Sequence, residues 1–207
     1  MIRITSLPDA EDHLSGIEAV IFDLDDTLYS EKDYVRSGFR AAAALFPAEK
    51  GMAEELWDAF EAGKPAIDAV LAARGLTERK SEALQAYRSH TPALRLYPGA
   101  GELLRRLRRS RKLGIITDGR PEGQRAKLAV LGLSSLVDEI IITDELGGPE
   151  WRKPNAEAFR LMSRRLEVPF ERMAYVGDNT AKDFVAPEKL GMRSIWFDNP
   201  DGLYSGK

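Results

Sequence analysis

The 207-residue chain contains no cysteine. Disulfide staples, thiolate metal sites and a cysteine nucleophile are thereby excluded. It has only two histidines, His13 and His90, set far apart, so a histidine-rich metal centre is not expected. No apolar run reaches membrane-spanning length, and the opening MIRITSLPDAEDHLSG is broken by charges and Pro8 where a signal peptide would be apolar. A cytoplasmic protein with no membrane partner is expected. Neither sign of charge is in excess: 30 Lys and Arg face 33 Asp and Glu, a formal net charge of -3 that gives no overall pull toward nucleic acid. One basic run, RRLRRSRK at residues 105–112, lacks interleaved aromatics and precedes an apolar run, so it is expected to be the solvated side of a helix.

With 43% hydrophobic residues the chain can bury a sizeable core, which fits one large domain or a core carrying one insertion. Short apolar runs recur, each closed by an aspartate: EAVIFD (18–23), KLGIITD (112–118), DEIIITD (138–144), MAYVGD (173–178) and RSIWFD (193–198). Helical patterns separate most of them; residues 121–131 begin with Pro121, carry Leu128 and Leu131, and stop before Gly132. Strands alternating with helices predict an α/β fold with a doubly wound parallel sheet. Ligands of such sheets sit beyond the carboxyl ends of the strands, where the five aspartates are expected to gather.

Residues 34–90 interrupt the alternation. They contain no strand-like run but four helical segments, near 34–46, 52–62, 65–75 and 81–90. Pro98 and Gly99 mark the return to the alternating pattern. A helical insertion over 31–93 within a core of 1–30 and 94–207 is the expected organisation. Trp57, Phe60 and Ile67 are expected to form the insertion's own small core, and Arg36, Arg40 and Lys64 are candidate substrate contacts.

The stretch AVIFDLDDTLYS (19–30) ends a buried strand in Asp23, Asp25 and Asp26. A calcium loop starting at Asp23 would need glycine at its sixth position and glutamate at its twelfth; Leu28 and Tyr34 stand there instead. An aspartate turn or helix cap remains the plain alternative.

Taken together, DLDDT (23–27), ITDG (116–119), RKP (152–154) and GDNTAKD (177–183) resemble the four motifs of the haloacid dehalogenase superfamily, in its order and at the ends of predicted strands. QRAKLAVLGLSSLVDEII (124–141) is similar to the segment joining the second and third motifs in the helical-cap branch of that superfamily. The resemblance implies a Rossmann-like core whose helical cap closes over the site and excludes water. It implies Asp23 as a nucleophile attacking phosphorus and Asp25 as the acid and base that exchanges protons with leaving oxygen and water. A Mg2+ ion would be held by the Asp23 carboxylate, the Asp25 backbone carbonyl and Asp178, with Asp183 in support. Thr117, backbone amides near Gly119, and Lys153 would bind the phosphoryl group, whose charge spreads over its outer oxygens.

One departure is visible: the second motif of the superfamily usually has asparagine where this chain has Asp118. An ionised carboxylate would repel phosphoryl oxygens, so Asp118 is expected either to cap the helix starting near Pro121, to pair with Arg120, or to face a leaving-group hydroxyl. The expected activity is Mg2+-dependent hydrolysis of a small phosphorylated metabolite, a sugar phosphate among the candidates. A phosphomutase of the same superfamily and a non-catalytic binding or regulatory module on the same fold are the alternatives. The dehalogenase branch lacks an aspartate in the place of Asp25 and is disfavoured. Oligomeric state is not legible.

Overall fold

A computed structural model describes residues 1–203. Contacts divide the chain into two compact units, residues 1–31 with 94–207 and residues 32–93. The first unit is built on six strands: β1 (Ile2–Ile4), β2 (Ala19–Phe22), β3 (Lys112–Thr117), β4 (Glu139–Ile142), β5 (Met173–Gly177) and β6 (Arg193–Phe197). All pairings are parallel, in the order β1-β6-β5-β2-β3-β4. The α/β fold with a doubly wound parallel sheet read from the sequence is the fold observed. Strand β2 is central and buried throughout, which is why AVIF is a continuous apolar run without alternation.

The five apolar runs ending in aspartate account for β2 to β6. β1 has no counterpart in the sequence reading: it is three residues long at the sheet edge, and only Ile4 is buried, so it carries no recognisable pattern. The helices of this unit include α5 (Ala100–Leu107), α6 (Pro121–Val130), α7 (Glu157–Leu166) and α8 (Val185–Leu190). Phe159, Met162 and Leu166 of α7 pack with Ile21, Ile116, Ile141 and Tyr175 on one sheet face. Gly114 permits that approach, since a Cβ there would lie 2.7 Å from the Met162 sulfur. The basic run of 105–112 spans the end of α5 and the start of β3. Arg106 pairs with Glu11, Arg111 donates to the Ile17 and Leu14 carbonyls, and Lys112 donates to the Leu166 carbonyl.

The second unit holds α2 (Met52–Glu61), α3 (Ala66–Ala73), α4 (Lys80–Ser89) and all but the first residue of α1 (Glu31–Ala43). Its core joins Val35, Phe39, Leu56, Ile67 and Leu71, with Trp57 and Phe60 packed against it. Burying each such side chain contributes roughly 1.5–3 kcal/mol, enough to organise these short helices around a common centre. The Arg36 guanidinium lies 4.0 Å from the centre of the Trp57 ring.

Sheet order places the site. The chain leaves β2, builds β3 and β4 on one side, then crosses back to lay β5 on the other. The crevice at the carboxyl end therefore falls between β2 and β5, where the direction of winding reverses.

Candidate active site

Asp23 follows β2 directly, and its amide donates to the Val176 carbonyl at 2.8 Å, so the β2–β5 pairing runs one residue past the strand. Asp178 follows β5. These two carboxylates face each other across the crevice, and with Asp183 they offer three oxygens lying within 4.8 Å of one another. Lys153 Nζ sits among them, 2.5 Å from Asp23 Oδ1, 2.8 Å from Asp183 Oδ1 and 2.9 Å from the Tyr175 hydroxyl, with its side chain fully buried. Burying an ammonium is tolerable only with such partners.

Packing these charges into a small volume perturbs Asp23, Asp178 and Lys153. Burial pushes the Asp23 carboxyl from 3.8 up to about 7, against the pull of Lys153 and with added repulsion from Asp183. Burial, then Asp23 and Asp183, pushes Asp178 up to about 9. Burial would lower the Lys153 ammonium, but Asp183 and Asp23 outweigh it and hold that group well above the usual lysine range. Lys153 is bonded to two of the three carboxylates, and Lys182 adds a weaker pull on Asp23. An all-oxygen, buried, electrostatically under-compensated donor set of this kind suits a hard divalent ion. Asp178 is the least satisfied of the three, accepting one 3.3 Å bond from the Thr27 hydroxyl.

Asp183 also accepts from the Asn179 amide at 3.0 Å, and Gly177 makes room for it. A Cβ on Gly177 would stand 2.6 Å from Asp183 Oδ2. Gly177→Ala is therefore expected to destabilise the protein by about 1–3 kcal/mol through overpacking, read as a lower urea midpoint. The same displacement should loosen Lys153.

Asp25 points elsewhere. Its Oδ1 accepts from Lys127 Nζ at 2.6 Å and from the Tyr29 hydroxyl, and its Oδ2 accepts from Gln124 Nε2 at 2.9 Å. Burial alone would raise its pKa; the charge and hydrogen bond of Lys127, with the bonds from Tyr29 and Gln124, outweigh burial and hold it below the usual carboxylate range. Gln124 Nε2 also donates to Thr117 Oγ1 at 2.5 Å, leaving the threonine its own proton to donate. Thr117 ends β3, the neighbour of β2, so register alone brings it to the same edge.

Asp26 does not join the cluster. It adopts a left-handed backbone with φ of 53°, and its carboxylate accepts from the Glu31 amide at 2.8 Å and the Leu203 amide at 2.7 Å. The third acid of the opening stretch is a turn residue that secures the start of α1.

Asp118 differs from two of its expectations, the helix cap and the pairing with Arg120. No side chain caps the N-terminus of α6, and the ionic partner of Asp118 is Lys182 at 3.2 Å, not Arg120. Its other oxygen accepts from the Thr143 hydroxyl at 2.9 Å and the Lys153 amide at 3.1 Å. The carboxylate thus ties together the chain segments carrying Thr117, Lys153 and Lys182. Gly119 has φ of 132°, open to glycine but strained for other residues.

The expected gathering of all five strand-end aspartates is corrected by two of them. Asp144 pairs with Arg152 through two 2.7 Å bonds. Asp198 lies beyond β6, toward the sheet edge, and pairs with Arg3. Each completes a local ion pair, so only Asp23, Asp118 and Asp178 face the crevice. The sequence reading missed Tyr29, Gln124, Lys127, Tyr175 and Lys182. A signal existed for Tyr175, a lone hydroxyl in a buried strand that needs a partner; Gln124 and Lys127 looked like ordinary polar helix residues.

The family model for haloacid dehalogenase-like hydrolases matches residues 17–191. Over 195 residues, 86% of this chain and 84% of the relative, the sequence is 31% identical to glyceraldehyde 3-phosphate phosphatase of Methanocaldococcus jannaschii. Over 132 residues it is 33% identical to phosphoserine phosphatase of Thermus thermophilus, covering 63% of this chain and 52% of that one. The crystal structure of a HAD-superfamily hydrolase from Geobacter sulfurreducens shares the fold with a TM-score of 0.71 at 19% identity, covering 89% of each chain. Among the described residues no helix is long and apolar enough to cross a membrane.

Proposed function

The chain belongs to the haloacid dehalogenase-like hydrolases, and within that family we propose that it is a Mg2+-dependent phosphatase of small phosphorylated metabolites that works through a phosphorylated Asp23. The observation carrying this reading is the separation of two aspartates only two positions apart. Asp23 shares Lys153 with Asp183 beside Asp178, whereas Asp25 is bonded to Lys127, Gln124 and Tyr29. Unlike surroundings divide labour between like side chains.

In this reading Asp23 attacks phosphorus and the leaving oxygen departs with a proton from Asp25. Asp25 then takes a proton from the water that attacks the acyl phosphate, restoring Asp23. The donors around Asp25 favour its ionised form, the one needed in the second step. Lys153 and the Thr117 hydroxyl offset the charge on the outer phosphoryl oxygens. Asp23 and Asp178, with the Asp25 backbone carbonyl, would hold Mg2+, which when bound supplies positive charge that lets Asp23 ionise and draws in the phosphate.

The named activities of the relatives make glyceraldehyde 3-phosphate and phosphoserine the first substrates to try, beside a panel of sugar and nucleotide monophosphates. Phosphate release with Mg2+ and its loss in excess chelator test the reading. Asp178→Ala should reduce that release by at least about a hundredfold at limiting Mg2+. A phosphomutase would instead require a bisphosphate and return the group to substrate, and a binding module would release no phosphate.

The raised carboxyls predict how pH acts on the metal. Without a cation, Asp23 and Asp178 bind protons up to about 7 and about 9, whereas the unfolded chain releases them near 3.8. The folded state therefore holds more protons across that window, and metal-free stability should fall as pH rises through it. Mg2+ replaces those protons. Its thermal stabilisation is expected to be larger at pH about 8.5 than at about 6 for the same concentration. An unchanged or reversed shift would count against a site made of these carboxylates.

A further inference from the structure

Two residues on α6 stand out because they are buried without an obvious reason. Gln124 and Lys127 are only 3% and 4% exposed, on the helix that also carries the exposed Val130. Lysine is among the residues least often buried, and burying its charge requires compensation. Spaced three apart, the pair shares one face of α6 and reaches the same carboxylate. Lys127 bonds Oδ1 of Asp25, Gln124 bonds Oδ2, and the Tyr29 hydroxyl meets Oδ1 as well. The Lys127 ammonium also stands 5.8 Å from the centre of the Tyr29 ring. Both oxygens are therefore fixed, so the carboxylate cannot rotate about its terminal bond without breaking a contact. The Gln124 amide has two protons, and its nitrogen spans Asp25 and Thr117 at 2.9 and 2.5 Å.

We propose that Gln124 and Lys127 are positioning residues for proton transfer: they hold the Asp25 carboxylate at a set orientation and, through Gln124, at a set distance from the Thr117 hydroxyl. The group that exchanges a proton with the leaving oxygen and the group that would hold the phosphoryl oxygens then keep one geometry. This rests on the reading of Asp25 as acid and base. Placement errors of about 1 Å in such groups can lower rates by about a hundredfold, so a side chain that never touches substrate can matter to turnover.

The test uses two leaving groups. p-Nitrophenolate departs without a proton, whereas the alkoxide of glycerol phosphate does not. Steady-state and single-turnover rates would be measured with Mg2+ for Lys127→Met, Lys127→Arg, Gln124→Met and Asp25→Ala. For Lys127→Met, first-step rates on glycerol phosphate should fall about 10- to 100-fold, with less than about 3-fold loss on p-nitrophenyl phosphate and little change in KM; Gln124→Met, which also frees Thr117, should lower both rates but the glycerol phosphate rate by about 10-fold more. Lys127→Arg should recover much of the loss. Adding Lys127→Met to Asp25→Ala should cause little further loss, because the lysine acts through that carboxylate. Gln124→Met, which removes only a neutral amide, carries the test if Lys127→Met does not fold.

Equal losses on both substrates, or additive losses on top of Asp25→Ala, would overturn the positioning role and leave a purely structural pair. If Asp25→Ala itself fails to distinguish the two leaving groups, the acid and base reading is what fails. If Asp25→Ala distinguishes them and neither α6 variant does, that reading stands and this inference alone is lost.

Discussion

Asp23→Asn is expected to lower the hydrolysis of every phosphate ester by several powers of ten while leaving the fold in place. An amide of nearly the same shape can still accept from Lys153, but it cannot attack phosphorus to form an acyl phosphate. Stability should not fall. The carboxyl at this position is pushed up to about 7 by burial and by its neighbours, so replacing it with a neutral group removes repulsion with Asp183, and Lys153 keeps its bond to Asp183. A denaturant midpoint within about 1 kcal/mol of the parent, with near-zero phosphate release, is the expected pair of results. Retention of more than about a tenth of the parent rate, with deamidation excluded by mass, would remove Asp23 from the nucleophile's place.

Lys153→Met should act on stability and rate together. The side chain is fully buried and contacts Asp23, Asp183 and Tyr175, so its removal leaves two buried carboxylates without their shared cation. Breaking a buried pair in this way costs about 3–5 kcal/mol, a large share of a domain's usual stability. The sign of the pH effect is diagnostic. Protonation of Asp23, whose carboxyl is already pushed up to about 7, removes one of the stranded charges, so the deficit should shrink as pH falls from about 8 to about 5.5. Turnover should fall by roughly a thousandfold per folded molecule, from loss of a positioned cation at the phosphoryl oxygens. Urea unfolding at the two pH values and phosphate release normalised to folded protein measure both effects. A deficit independent of pH would mean that Lys153 serves packing, not charge balance.

Asp23 was visible in the sequence for a physical reason, whereas Lys153, which lies outside every strand and helix, was named only through the resemblance of RKP to a family motif. A strand buried on both faces is a continuous apolar run, and the first polar residue after it marks the carboxyl edge where a parallel sheet binds ligands. Asp23, Thr117 and Asp178 all stand at such ends, and sheet order brings them together. The same logic over-collected: Asp144 and Asp198 also end strands, but neighbouring arginines neutralise them locally, and no one-dimensional pattern shows which charge a distant Arg3 will meet. β1 was illegible because an edge strand of three residues has too few positions to express a period. Gln124 and Lys127 were illegible because a polar side chain on a helix looks the same in sequence whether it meets water or a half-buried carboxylate. Only tertiary packing of α6 beside Asp25 gives them meaning. Asp26, next to the two acids of interest, belongs to a turn, a distinction made by its φ of 53° and by the amides it accepts.

The central claim is a covalent phosphoryl group on Asp23, and reductive trapping tests it most directly. Asp25→Ala, impaired in the second step, would be mixed with Mg2+ and p-nitrophenyl phosphate, quenched within the first turnover, and treated with borohydride, which reduces an acyl phosphate to an alcohol. Peptide mass mapping is expected to find homoserine in place of aspartate at position 23, in a yield that rises with the p-nitrophenolate burst and vanishes in Asp23→Asn. Active enzyme that gives a burst but leaves Asp23 unreduced, or carries the modification on another carboxylate, would contradict the account.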